Sequence, residues 1–206
     1  MALRDNELLL IGDVAACPVY SHDCYGMRFE RLELSVARKS GVCDQLPVIC
    51  AAELLPPEVE PGQRMIIHGQ VRAYNRQTEQ GGRLMIAAFA HAVALTGAEP
   101  ENQICLRGNL TRQPIYRSTP LGREIADLFV AVERGFGKSD YLPVIAWGRN
   151  ARRCSGWQAG DKVEVLGRLQ SRVYQKMLPD GSTAERTAFE VSATSITREL
   201  IPVSVF

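Results

Sequence analysis

Four aromatic residues in the second half of the chain sit in settings that suit a binding surface better than a core. Phe136 lies between glycines in Arg134-Gly-Phe-Gly-Lys138, the composition of a loop tip. Tyr141 opens an apolar run, Trp147 closes it beside Gly148, and Tyr174 stands far out in Gln170-Ser-Arg-Val-Tyr174. Arg134, Lys138, Arg149, Arg168, Arg172 and Lys176 accompany them. Rings beside cations are the chemistry that holds a single nucleic-acid strand. Bases stack on the rings for roughly 1–3 kcal/mol each, whatever their identity, while the cations neutralise phosphates. The even spacing of Arg168, Arg172 and Lys176 puts them on one face of a regular strand. Plainer readings stand beside this one. Trp147 could plug the end of the fold, Tyr174 could pack across strands, Phe136 could touch a partner subunit, and a row of Arg and Lys is often only a solvated face. Phe129 and Phe189, embedded in apolar alternation, are expected in the core, and Trp157 as a packing residue.

The elements that must position these residues are announced by an internal repeat. At an offset of 96, Asn6-Glu-Leu-Leu-Leu-Ile-Gly12 aligns with Asn102-Gln-Ile-Cys-Leu-Arg-Gly108. Pro18, Tyr20, Gly26 and Arg38 align with Pro114, Tyr116, Gly122 and Arg134, and Leu46-Pro-Val-Ile49 with Leu142-Pro-Val-Ile145. The offset then becomes 98, where Pro61-Gly62 meets Ala159-Gly160 and Gly69 meets Gly167. Period-two alternation in the second copy predicts strands over Gln103–Leu110, Ile125–Val132, Tyr141–Trp147, Lys162–Tyr174 and Thr187–Thr194. Gly108 marks a curve in the first, a helix is expected within Arg149–Trp157, and Leu178-Pro-Asp-Gly-Ser182 is turn chemistry. The first copy follows the same order, with Pro56-Pro57 expected to shorten or break its helix. Five strands with a helix between the third and fourth is the order of the OB fold, a partly open five-stranded barrel. The expectation is an all-β chain of two tandem OB barrels: 1–98, 99–200 and a tail, 201–206.

Through Gly108–Pro114, Val144–Arg149 and Gly160–Arg172, the second copy resembles the bacterial single-stranded-DNA-binding protein family. Gly108-Asn-Leu-Thr-Arg-Gln-Pro114 with Tyr116 and Thr119-Pro-Leu-Gly122 is similar to that family's opening strand and turn. Val144-Ile-Ala-Trp-Gly-Arg149 is similar to its third strand, and Gly160-Asp-Lys-Val-Glu-Val-Leu-Gly-Arg-Leu-Gln-Ser-Arg172 to its fourth. The resemblance covers about 102–197 well and 6–95 more faintly. It implies stacking on Phe136, Tyr141, Trp147 and Tyr174, the same set the residues themselves pointed to. The first copy offers Gly41, Gln45, Ala51 and Arg76 near those positions, with Tyr25 and Tyr74 as substitutes elsewhere. The resemblance further implies a homodimer presenting four OB domains. The family's acidic tail tip has no counterpart in Arg198-Glu-Leu-Ile-Pro-Val-Ser-Val-Phe206, which puts recruitment of repair enzymes through such a tail in doubt.

Composition narrows the alternatives. The net charge of +1 hides an asymmetry, since residues 1–98 net −2 and residues 99–206 net +3. The basic excess lies with the candidate residues. No apolar run approaches the ~20 residues of a membrane helix, and the N-terminus lacks a secretory pattern, so a bacterial cytoplasmic, nucleoid-associated location is expected. Cys17, Cys24, Cys43, Cys50, Cys105 and Cys154 form no C-x-x-C pair and are expected as free thiols, mostly buried. Cys17, His22 and Cys24 match no zinc spacing. No cofactor, metal or catalytic constellation is expected. The functional expectation is non-enzymatic, largely sequence-independent binding and protection of single-stranded DNA in replication, repair or recombination. The alternative is a primosome-type accessory or protein-interaction OB module, and RNA is harder to exclude.

Overall fold

The computed structural model describes residues 5–78, 81–135, 137–177 and 181–199. Two compact units emerge. One is Glu7–Gln103 together with Leu169–Glu190, and the other is built on Ile104–Arg168 with 5–6 and 191–199.

The first unit contains a barrel of β1 (Asn6–Cys24), β2 (Met27–Ala37), β3 (Cys43–Ala51), β4 (Arg64–Thr78) and β5 (Gly81–Leu95). Hydrogen bonding runs antiparallel from β1 to β2 and β2 to β3, parallel from β3 to β5, then antiparallel from β5 to β4 and β4 back to β1. That circuit closes a five-stranded barrel in OB order. Alternation decides which side chains enter it: Leu32, Leu34 and Val36 of β2 and Leu46 and Val48 of β3 are buried, as are Met65, Ile67 and Val71 of β4. Each fully buried aliphatic side chain contributes about 1.5–3 kcal/mol. Between β3 and β4 stands a single 3-10 turn, Ala52–Leu54. The prolines at 56 and 57 remove the amides a longer helix would need.

The second barrel repeats the circuit with β6 (Glu101–Leu110), β8 (Glu124–Gly135), β9 (Lys138–Trp147), β10 (Lys162–Met177) and β11 (Thr183–Arg198). β6 pairs with β8, β8 with β9, β9 in parallel with β11, β11 with β10, and β10 with β6. A short β7 (Ile115–Ser118), not foreseen in the sequence, folds back on β8. The helix α1 (Arg149–Cys154) packs against β8 and β9 and buries Ala151 and Cys154. Trp157 is buried beyond it, as expected of a packing residue.

The glycines of the repeat mark where barrel backbones cross closely. A Cβ on Gly108 would lie 2.2 Å from the Ala131 carbonyl oxygen, and one on Gly167 2.3 Å from that of Ser192. Gly12 and Gly69 meet Ser35 and Phe89 in the same way in the first barrel. Two of the six thiols, Cys50 and Cys154, are buried, and burial pushes each up to about 11. Cys17 and Cys43 are exposed, the first in the irregular stretch of β1 between Ala16 and Val19 and the second at the first residue of β3; the expectation of mostly buried thiols is corrected.

Candidate nucleic-acid interface

On β9, Leu142, Val144 and Ala146 point into the second barrel, so Tyr141, Pro143, Ile145 and Trp147 share the outward face. Tyr141 is 51% exposed and Trp147 39%. Six residues of strand separate the two rings by about 20 Å. The register sets Ala131 of β8 opposite Tyr141, Phe129 opposite Pro143, and Ile125 opposite Trp147. Leu128, Val130 and Val132 are inward, so Phe129 faces out between the two exposed rings. Phe129 is half-buried, and the Arg112 guanidinium lies 5.2 Å from its ring centroid. The Thr111 amide and hydroxyl both donate to the Phe129 carbonyl, at 2.9 and 3.2 Å, which holds Arg112 over the ring.

The reading of Phe129 as core therefore needs correcting. Its signal was available: in the alternating run Ile125–Val132 it is out of phase with Leu128, Val130 and Val132. Phe189 is likewise half-buried rather than fully enclosed. Phe136 lies outside the described residues.

The cations divide into two kinds. Lys138 and Arg149 are exposed and carry no ion pair among the described residues; Arg149 begins α1, directly after Trp147-Gly148. Arg134 is committed elsewhere. Its Nε donates to Asp140 Oδ2 at 3.0 Å and its Nη2 donates to Asp140 Oδ1, and Asp140 is buried. A bidentate pair on a buried carboxylate fixes the β8–β9 loop and leaves little of the guanidinium for a phosphate. The pairing raises the Arg134 pKa still further, chiefly through the Asp140 hydrogen bond. Arg38 and Asp44 repeat this pair in the first barrel, which explains why Arg38 and Arg134 align.

Arg168 is half-buried on β10, whereas Arg172 and Lys176, in the ribbon 169–190, are exposed. The Arg172 guanidinium lies 5.5 Å from the Tyr174 ring centroid and Arg172 Nε is 3.8 Å from Glu190. Tyr174 is half-exposed under that cation. The structure thus assembles Tyr141, Trp147, Lys138 and Arg149, with Phe129 and Arg112 added, in one unit. It places Arg172, Tyr174 and Lys176 in the other.

The first barrel's outward face is differently made. Gln45, Pro47, Ile49 and Ala51 occupy the β3 positions. Phe29, opposite Ala51, is buried under His22, whose ring stacks on it at 4.9 Å and 6°. Phe89 closes on Phe29 at 5.7 Å, and Arg72 lies 5.7 Å from the Phe89 centroid. The aromatics here are largely spent on each other. Tyr25 is 96% exposed at the β1–β2 turn and Tyr74 41% exposed on β4.

Among the described residues no helix is long and apolar enough to cross a membrane. The family model described as the single-strand binding protein family matches residues 101–198, the second barrel. The chain is 35% identical over 81 residues to single-stranded DNA-binding protein B of Bacillus subtilis, covering 36% of this chain and 72% of that protein. It is 29% identical over 203 residues to the single-stranded DNA-binding protein of Thermus aquaticus, covering 82% of this chain and 76% of the relative. Of a Clostridium tetani relative it spans 56% of the length. A crystal structure of a deletion mutant of the Thermus aquaticus protein superposes with a TM-score of 0.78 at 25% identity, covering 97% of both chains.

Proposed function

The chain belongs to the single-strand binding protein family, and from that membership we propose that it binds single-stranded DNA without catalysis and without strong sequence preference. The observation that carries the reading is the outward face of β9. Tyr141 and Trp147 stand exposed at its two ends, with Phe129 between them on β8. Rings spaced along one strand let successive bases stack, and stacking accepts any base because every base has a π-face. Lys138, Arg149 and Arg112 supply charge beside the rings, and Arg168, Arg172 and Lys176 supply it along β10. Tyr174 offers a further stacking ring.

In this reading the protein covers DNA strands exposed during replication, repair or recombination in the bacterial cytoplasm. The second barrel holds the DNA, the first builds the assembly, and two chains pair to present four barrels. Titration of a fluorescent oligo(dT) tests the binding. Affinity is expected to fall steeply as salt rises, and the combined Tyr141→Ala and Trp147→Ala variant is expected to lose binding. Affinity unchanged in that variant would remove the basis of the proposal. An oligo(U) titration in parallel measures the preference for DNA over RNA.

A further inference from the structure

Residues 169–190, the far part of the β10–β11 ribbon, are compact with the first barrel. The base of the ribbon is held first by Asn102 of β6. Asn102 Nδ2 donates to the Leu169 carbonyl at 2.7 Å, and the Leu169 amide donates to Asn102 Oδ1 at 2.9 Å. Two residues on, the Ser171 amide donates to Asp44 Oδ1 at 2.8 Å and its hydroxyl donates to the same oxygen at 3.4 Å. The Gln45 amide in turn donates to Ser171 Oγ at 3.2 Å. Asp44 is fully buried, and Arg38 completes its coordination with Nε on Oδ2 at 2.7 Å and Nη2 on Oδ1 at 2.5 Å. The same Arg38 Nη2 reaches the Ser171 carbonyl at 3.4 Å. On the returning strand, Arg83 Nη2 donates to the Thr187 carbonyl at 2.8 Å.

A buried carboxylate of the first barrel therefore holds the backbone of β10 directly before Arg172 and Tyr174. We propose that Asp44, seconded by Arg83, is a positioning residue for DNA binding: the first barrel holds the ribbon so that Arg172 and Tyr174 are presented in an ordered conformation. The inference rests on the single-stranded-DNA reading above. Its physical basis is preorganisation. A two-stranded ribbon left to itself is marginally stable in water, and ordering it at the moment of binding would subtract from affinity. This gives the first barrel a part in binding that needs no stacking ring of its own.

The test is a double-mutant cycle in the full chain, read by oligo(dT) affinity. Asp44→Asn keeps an acceptor for Ser171 but removes the charge that holds Arg38, and is expected to weaken binding about 5- to 10-fold. Arg83→Ala, which disturbs no buried acid, is expected to weaken it about 2- to 5-fold. In a Tyr174→Ala background each substitution is expected to weaken binding less, because only Arg172 is left to position. Hydrogen exchange over 172–177 is expected to quicken in both variants. Equal weakening with and without Tyr174, or unchanged affinity in a folded Asp44→Asn or Arg83→Ala chain, would overturn the proposal. Should Asp44→Asn fail to fold, Arg83→Ala carries the cycle alone. Unchanged affinity in Tyr174→Ala itself would also overturn it, while oligo(dT) binding that still depends on Tyr141 and Trp147 would leave the functional reading standing.

Discussion

The third strand of the first barrel shows Gln45, Pro47, Ile49 and Ala51 on its outward face; that of the second shows Tyr141, Pro143, Ile145 and Trp147. The middle of the face is shared and the ends are exchanged. Residues that turn inward are equally matched, with Leu46 and Val48 corresponding to Leu142 and Val144, all buried. The buried Arg–Asp pair that fixes the loop before the strand is present in both. Inward side chains and the loop pair hold the barrel, so they persist where a barrel is required. Outward ends answer only to what they bind. In the second barrel they are exposed rings. In the first, the side-chain amide of Gln45 donates to Ser35 Oγ at 3.0 Å, and Phe29, opposite Ala51, is covered by His22 and packs against Phe89. Exposed aromatic surface along β9, absent from β3, is what separates the two faces.

Matched substitutions sharpen that contrast. The largest effect is expected from Tyr141→Ala with Trp147→Ala, where two lost stacks amount to about 2–6 kcal/mol of binding free energy, or roughly 30-fold to more than 10⁴-fold in oligo(dT) affinity. Leu46→Ala and Leu142→Ala should behave alike, each costing about 2–5 kcal/mol of stability by denaturant unfolding. A large inequality would show that the two barrels are not held by equivalent cores. Phe129→Ala should weaken oligo(dT) binding by about 1 kcal/mol, at the low end for a stacking ring because the ring is already half covered by Arg112. Phe89→Ala in the first barrel should leave affinity unchanged. The smallest effects concern charge: Lys138→Ala and Arg149→Ala should each reduce the slope of log affinity against log salt by about 0.7, whereas Arg64→Ala, whose guanidinium pairs with Asp13, should not change it.

Much of this was legible in the sequence, for identifiable reasons. The repeat and period-two alternation revealed both barrels, because closing a barrel demands alternation and close-approach glycines at fixed places. Tyr141 and Trp147 were legible because a glycine or a polar residue borders each one. Phe129 was harder to read, because in Ile125–Val132 nearly every residue is apolar and only its phase against Leu128, Val130 and Val132 marks it as outward. Arg134 read as a phosphate cation because its neighbours are Gly-Phe-Gly; its buried partner, Asp140, lies beyond the turn. The grouping of 169–190 with the first barrel depends on contacts between residues more than a hundred positions apart, such as Asp44 with Ser171, and no local pattern announces those. Residues 178–180 of the expected turn, the expected tail 201–206 and Phe136 lie outside the described residues.

The central claim, that DNA is held on the outward face of β9, can be tested with the protein's own fluorescence. The chain has two tryptophans, Trp147 exposed on that face and Trp157 buried behind α1. In the Trp157→Phe variant, Trp147 alone reports, and oligo(dT) is expected to quench it saturably with the same midpoint as the anisotropy of the labelled oligonucleotide. In the Trp147→Phe variant, emission from Trp157 should barely change. Full binding by anisotropy with Trp147 unquenched would contradict the account.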